Sequence, residues 1–440
     1  MEQSDLLDSE QLVEETAADN KENGNFAILL PSIILDRFSY YGFRSIMLVY
    51  AMDHFQLSAT TALSQYLFFT ALIYIMCVPG GILGDFVIKS KHSLIIGSLI
   101  TAVGAGLCAL PIIGAFYAGC ILIILGSGLY RPNIISYIAR TTGNDLRLLG
   151  QRYLSMYLMI NVGAFLGGLF LVLIADTFGY HFGFSAVALS WLLSAILLYT
   201  VNGKSRNHKK PAIHSRILTY KSASGATLLL MIIPVVATVI YWISYEHFYP
   251  RYLVSTFDLL QIFEPGSVIK FLMTWLGPLI IFPIAVIMLL VFRKVWFHPL
   301  QKVGIGMSLM AITWGLLFVF PESMNTDTAI TMYVIFSIIV GISELFITPA
   351  MFTLFAAMTK RKILGTITGI YFLIVGIGNS FASELMGYFD PHSDRFFIPW
   401  ICFGLGAALF ILPYFIKKKL IDQIDQIDEI DKIDKIDKNI

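Results

Sequence analysis

Charge is scarce in this sequence. Of its 440 residues only 59 are charged, 30 basic and 29 acidic, while 57% are apolar. Nine of the charges fall within residues 1–25 and thirteen follow Pro413, which leaves 37 for everything between. A soluble domain carries roughly 25% charge, and this central stretch carries less than half that share. So apolar a chain would not stay dispersed in water, which excludes a cytosolic enzyme, a secreted disulfide scaffold and a free nucleic-acid binder. Cysteine is scarce too. Cys77, Cys108, Cys120 and Cys402 all lie inside apolar runs, with no CxxC pair, and read as small buried hydrophobes rather than bridges or metal ligands. There is no HExxH, no GxSxG and no Gly-rich phosphate loop. The expectation is a membrane protein that is not an enzyme and holds neither metal nor cofactor.

What the chain has instead is long apolar runs. A helix needs roughly 20 apolar residues to cross a bilayer. Runs of that kind stand at about 26–52, 59–83, 93–113, 115–139, 150–176, 180–202, 224–248, 266–292, 302–321, 328–357, 365–388 and 396–416, twelve in all, with a turn near Gly114 separating the third from the fourth. With both termini placed in the cytoplasm, the inward loops carry seventeen Lys and Arg, from Lys89 and Lys91 to Lys360, Arg361 and Lys362. The outward loops carry Arg251, Lys270 and Arg395. Seventeen against three is a strong positive-inside bias, and one missed helix would scramble it.

The expected organisation is therefore an all-α polytopic membrane protein, multi-pass in the plasma (inner) membrane. Residues 1–25 form an acidic, disordered cytoplasmic tail, 26–202 a six-helix bundle and 203–223 a basic cytoplasmic linker; 224–416 form a second six-helix bundle and 417–440 a low-complexity tail. The first 25 residues hold eight acids and one Lys, which is not the basic start of a signal peptide. The last segment repeats Ile-Asp-x six times from Ile421, a period of three that suits neither a helical stripe nor a strand.

Seven charges remain inside the spans: Asp36, Arg37, Arg44, Arg131, Glu246, Glu344 and Glu384. Each would cost roughly 2.5–3.5 kcal/mol at a lipid-exposed helix centre, so such residues face a wet cavity and pair. Static ion pairs that brace helices are the alternative, and for Glu384, near the outer end of its run, the favoured one. Asp36, Tyr40 and Arg44 recur at i, i+4 and i+8, with Arg37 and Tyr41 beside them. A stripe like this lines an aqueous path. Guanidinium groups interleaved with aromatic hydroxyls suit a charged organic solute, and the arginine fork matches a carboxylate.

The run Ile33-Ile34-Leu35-Asp36-Arg37-Phe38-Ser39-Tyr40-Tyr41-Gly42 resembles the first-helix signature ExxERFxYYG of the proton-dependent oligopeptide transporter family, within the major facilitator superfamily. Five further stretches are similar to that family's motifs, in order. Gly81-Ile82-Leu83-Gly84-Asp85, with Lys89 and Lys91, resembles the loop motif after the second helix, and Gly126 to Asn133 the fourth-helix run, with Arg131 where a Lys is usual. Met156 to Ala164, which includes Asn161, resembles the fifth-helix FYxxINxG signature. Tyr241 to Glu246 and Gly341 to Pro349 match the acid-bearing stretches of the seventh and tenth helices. Ile33 stands in place of the motif's first acid, Gly277 where a peptide-binding Asn is usual, Phe69 where a binding Tyr is usual, and Tyr371 where a Trp lines the pocket.

The resemblance implies a major facilitator fold of twelve transmembrane helices in two halves, and proton-coupled symport of di- and tripeptides by alternating access. It implies that Glu344 receives the peptide ammonium, that Arg44 and Arg131 clamp its carboxylate, and that Asn161 satisfies a backbone amide. Tyr40, Tyr41 and Tyr371 would supply the wall of the binding site, and Asp36, Arg37 and Glu246 the proton coupling. The expected partners are small peptides, protons and membrane lipid, with no nucleic acid and a monomeric state. Two alternatives remain open at this point: a same-fold transporter of another solute, such as a modified amino acid, a nucleoside-like compound or an anion, and a receptor that binds peptide without moving it.

Overall fold

The computed structural model describes residues 2–143, 145–201, 231–245, 276–316, 326–385 and 398–414, and among them there is no β-strand. They form α1 (Glu2–Phe55), α2 (Ala59–Phe86), α3 (Ser90–Cys108), α4 (Ile113–Thr142), α5 (Leu146–Phe178) and α6 (Tyr180–Thr200). Then follow α7 (Met231–Tyr245), α8 (Leu276–Lys294), α9 (Pro299–Leu316), α10 (Thr326–Met358), a 3₁₀ turn at Arg361–Ile363, α11 (Leu364–Leu385) and α12 (Ile398–Tyr414). Seven of these helices, α2 to α6, α10 and α11, are long and apolar enough to cross a membrane. The linker at 203–223, Glu246, Arg251, Lys270, Arg395 and the Ile-Asp-x tail lie outside the described residues.

Two expectations are corrected. The acidic segment expected to be disordered continues α1, which runs unbroken from Glu2. Half of residues 2–25 are Glu, Leu, Gln or Ala, all good helix formers, and growth from an existing helix avoids the cost of nucleation. The turn expected near Gly114 lies earlier, between Cys108 and Ile113, and Gly114 is inside α4.

Local chemistry sets the other boundaries. The Ser58 hydroxyl caps α2 by accepting from the Thr61 N–H at 3.2 Å, and the Asp145 carboxylate caps α5 by accepting from the Arg147 and Leu148 N–H groups at 2.8 and 3.0 Å. At the start of α9, Pro299 follows His298, whose Nδ1 accepts from the Leu300 N–H at 3.2 Å. The His298 N–H donates in return to Gln301 Oε1 at 3.0 Å, a reciprocal cap. Burial pushes the His298 imidazole down to about 4, which leaves it neutral and able to accept near neutral pH. Gly179 alone separates α5 from α6, at a φ of 96° that a side chain would strain.

The first six helices pack on one another: α1 against α5 and α6, α3 against α4 and α6, α2 against α4. Without water to drive them together, such helices approach closely where side chains are smallest. A Cβ on Gly163 of α5 would stand 2.5 Å from the Ile34 carbonyl and 2.7 Å from the Arg37 Cβ, so α1 lies directly on the α5 backbone. The first six helices meet the later ones where α2 runs beside α11 and where α5 runs beside α8 and α10. At the end that bears the basic loops they are tied by hydrogen bonds. Asp85 of α2 accepts from Arg140 at 2.7 Å, from the Thr366 N–H at 2.6 Å and from the Gly365 N–H at 3.2 Å. Arg361 donates to the carbonyls of Ala139 and Gly143, and Gln151 to that of Phe292 at 3.2 Å.

This packing makes a prediction. Gly163→Ala overpacks the α1–α5 contact, with an expected cost of about 1–3 kcal/mol read as a lower melting temperature in detergent. Gly106→Ala, where a Cβ meets nothing within 4 Å, should leave the melting temperature unchanged or raise it.

Candidate functional site

A cavity of about 140 Å³ lies between the first six helices and the later ones. Arg37 and Tyr41 of α1, Tyr74 of α2, Arg131 of α4 and Tyr157 of α5 line one side; Trp242 of α7, Thr348 and Phe352 of α10 and Tyr371 of α11 line the other. The polar groups are concentrated on the side of the first six helices.

Arginines and tyrosines interlock there. The Arg131 guanidinium lies 4.2 Å from the centre of the Tyr40 ring and 5.7 Å from that of Tyr74. Arg44 lies 5.5 Å from the same Tyr40 ring and 4.8 Å from Tyr66. Tyr40 is thus shared by two cations and meets the Tyr41 ring edge-on at 5.1 Å. Each contact of this kind is worth about 0.5–2 kcal/mol, more when desolvated. Among the described residues only two side-chain ion pairs form, Arg37 with Asp36 at 3.3 Å and Arg140 with Asp85. Neither Arg44 nor Arg131 meets a described carboxylate.

Of the residues singled out in the sequence, Arg37, Tyr41, Arg131 and Tyr371 stand in the cavity wall, with Tyr40 and Arg44 stacked behind. Asp36 does not face the cavity. It is 6% exposed, and its Oδ1 accepts from the indole N–H of Trp191 on α6 at 3.1 Å. The reason is helical drift: a spacing of four residues advances about 40° per step, so Asp36 falls at the α6 side of the stripe while Arg37 and Tyr41 face inward. Asn161 is half-buried and donates to the Tyr157 carbonyl of its own helix at 3.0 Å. Glu344 accepts a hydrogen bond from the Tyr157 hydroxyl, which joins α10 to α5 across the halves. Glu246 follows the last described residue of α7, and the side chain of Glu384 is outside the described residues.

Sequence reasoning gave no site role to Tyr74, Tyr157, Trp242 or Thr348, although the last three lie inside stretches matched to the family's motifs. For Tyr74 a signal existed, since Tyr66, Thr70 and Tyr74 repeat on α2 the i, i+4, i+8 spacing used on α1. The position on α2 singled out instead, Phe69, is buried in the core, 5.6 Å from the Phe43 ring. Ile33 is equally buried, at 1% exposure, in the hydrophobic core that also holds Tyr130 and Ile134. At Gly277 a Cβ would meet nothing within 4 Å.

Known proteins share this fold. The family profile described as the Major Facilitator Superfamily matches residues 29–383. A dipeptide and tripeptide permease A from Serratia proteamaculans (strain 568) is 29% identical over 221 residues, 50% of this chain and 42% of the permease. The chain thus spans less than half the length of that curated relative. A crystal structure of a peptide transporter POT in complex with sulfate is similar with a TM-score of 0.61 and 19% identity, over 89% of this chain and 94% of that one. A structure from work on proton-dependent oligopeptide transporters gives a TM-score of 0.58 at 16% identity, over 92% of this chain and 100% of that one. At these identities the likeness speaks for the fold.

The Tyr157–Glu344 link should be measurable as a coupling. In a double-mutant cycle of Tyr157→Phe and Glu344→Gln on thermal stability, the double variant should lose less than the sum of the singles, with an interaction energy of about 0.5–3 kcal/mol. Simple additivity would show that the link contributes nothing to holding α5 and α10 together.

Proposed function

The chain belongs to the Major Facilitator Superfamily, and from that premise we propose that it is a proton-coupled symporter of di- and tripeptides that works by alternating access. In this reading it crosses the plasma membrane twelve times as two six-helix halves, with both termini and the basic loops in the cytoplasm, and acts as a monomer. The observation that carries the reading is the cavity, where the buried Arg131, without a carboxylate partner among the described residues, stands among tyrosines with Arg44 stacked behind. The activity named for the Serratia permease, dipeptide and tripeptide transport, fits that chemistry.

A short peptide offers the same three features whatever its side chains: an ammonium, a carboxylate and the amides between. Arg131 and Arg44 hold the carboxylate through charge-assisted bonds. Glu344 takes the ammonium in exchange for the Tyr157 hydroxyl, and Asn161 serves an amide. Tyr40, Tyr41 and Tyr371 confine the peptide. Coupling requires a carboxyl whose proton affinity changes with conformation, and pairing with a guanidinium in one state and facing water in another does this. Glu246 is assigned that role with Arg44, whose buried Nε has no hydrogen-bond partner among the described residues. Asp36, behind the cavity wall, with Arg37 in that wall is the second pair.

A second reading, the same transport of a different small solute, is favoured by Gly277 and Ile33, where apolar or absent side chains replace the family's polar ones. Uptake of a dipeptide panel into proteoliposomes, with and without an inward proton gradient, separates the two. The proposal fails if every peptide behaves as in empty liposomes while a non-peptide solute accumulates.

Two variants test the roles. Glu344→Gln should weaken free dipeptides about ten- to a hundredfold, the effect of one lost charge-assisted bond, and should not weaken an N-acetylated dipeptide further than wild type. Glu246→Gln should still exchange peptide down its gradient yet fail to concentrate it against one when a proton gradient is imposed. Concentrative uptake that survives with wild-type pH dependence would move the coupling role to Asp36.

A further inference from the structure

We infer that Thr348 is a substrate-positioning residue: it donates a hydrogen bond, from the opposite half of the molecule, to the same peptide carboxylate that Arg131 holds. This rests on the peptide reading above and adds to it a residue that neither the sequence motifs nor the pairing of charges assigns.

Both side chains line the cavity, Arg131 from α4 and Thr348 from α10, and each is 7% exposed. Among the described residues, neither Arg131 Nη2 nor Thr348 Oγ1 has a hydrogen-bond partner. For a threonine in a helix this is unusual, because the hydroxyl has a carbonyl within reach one turn back. Threonines elsewhere in this chain use it: Thr70 donates to Tyr66 at 3.0 Å, Thr238 to Pro234 at 2.8 Å and Thr368 to Leu364 at 2.7 Å. Thr353, on α10 itself, donates to the Pro349 carbonyl at 2.8 Å. Thr348 forgoes that bond, and its buried hydroxyl stands unpartnered in the wall of the cavity.

Two buried donors without acceptors, one of them cationic, mark the place of an anionic acceptor. Arg131 is held by the faces of Tyr40 and Tyr74, which steady its charge without cancelling it. Its planar fork can engage one carboxylate through two N–H groups, and the second oxygen still has a lone pair for a hydroxyl. The only anionic group common to all short peptides is the terminal carboxylate. Spacing along α10 agrees. Glu344 and Thr348 stand one turn apart, with roughly 5–6 Å between Cβ atoms, and an extended dipeptide spans at most roughly 7 Å. One dipeptide can therefore present its ammonium to Glu344 and its carboxylate to Thr348. Because Arg131 and Thr348 belong to different halves, the carboxylate bridges them, and a free C-terminus helps to draw the halves together.

The test is calorimetric binding of Ala-Ala and of its C-terminal amide to purified wild type, Thr348→Val and Thr348→Ser. Val keeps the shape and removes the donor. In Thr348→Val, affinity for Ala-Ala should fall about ten- to a hundredfold while affinity for the amide stays within twofold of wild type, and Thr348→Ser should restore the difference. The ratio of acid to amide is taken within each variant, so a partial loss of folded protein cancels. An unchanged ratio in Thr348→Val, whether both ligands weaken together or neither does, overturns the assignment and leaves the peptide reading standing. Wild type that binds neither ligand overturns the peptide reading and this assignment with it.

Discussion

A guanidinium buried in a membrane has to be held by something, and what holds it decides what the site can attract. Here the holders are mostly rings. Arg131 and Arg44 share the face of Tyr40, and Tyr74 and Tyr66 complete the stacks. A carboxylate partner would satisfy the charge and also remove its pull on a ligand. An aromatic face offers a weaker interaction that leaves the cation a cation. Arg37 is the contrast, since Asp36 stands against it at 3.3 Å. Around the cavity and Tyr40, the first six helices thus present one neutralised arginine, Arg37, and two that keep their charge, Arg131 and Arg44.

That arrangement depends on backbone proximity. Tyr40 and Arg37 are in place because α1 rests on α5 at Gly163, with no room for a side chain between them. The opposite wall reaches the same cavity because the two halves are tied at the end with the basic loops, where one carboxylate, Asp85, collects Arg140 and the two N–H groups at the start of α11. In the proposed cycle those bonds break together when the cavity opens toward that end. Several donors converging on a single acceptor make the contact present or absent, with little in between.

Much of this was legible in the residues, and the parts that were not have a common cause. Apolar runs announced the helices, because a bilayer asks for length and apolarity and little else. Arg37, Tyr41 and Arg131 were legible because a charge in an apolar run is costly unless it faces a wet cavity, and the tyrosine shares the stripe of the charges. Asp36 was placed on the right stripe but on the wrong edge of it, since a period of four slides around a helix of 3.6 residues per turn. Tyr74 and Trp242 escaped because an aromatic residue in an apolar run is ordinary. Thr348 escaped because a threonine hydroxyl normally turns back to its own helix, and only its hydrogen bonds reveal that this one does not. The helical course of residues 2–25 was hidden by their charge, which argues for solvent exposure and says little about backbone conformation.

The indole of Trp191 gives the molecule an intrinsic optical property. Its N–H is bonded to the carboxylate of Asp36, and its ring is fully buried. Indole emission responds to the charge beside it, so protonation of that one acid changes the colour and yield of a chromophore already present. A second indole, that of Trp242, stands in the cavity wall. The chain has six tryptophans; with the other four replaced, these two would report separately on the layer behind the cavity and on the cavity itself. Light emitted by the unlabelled protein would then distinguish the arrival of a proton from the arrival of a solute.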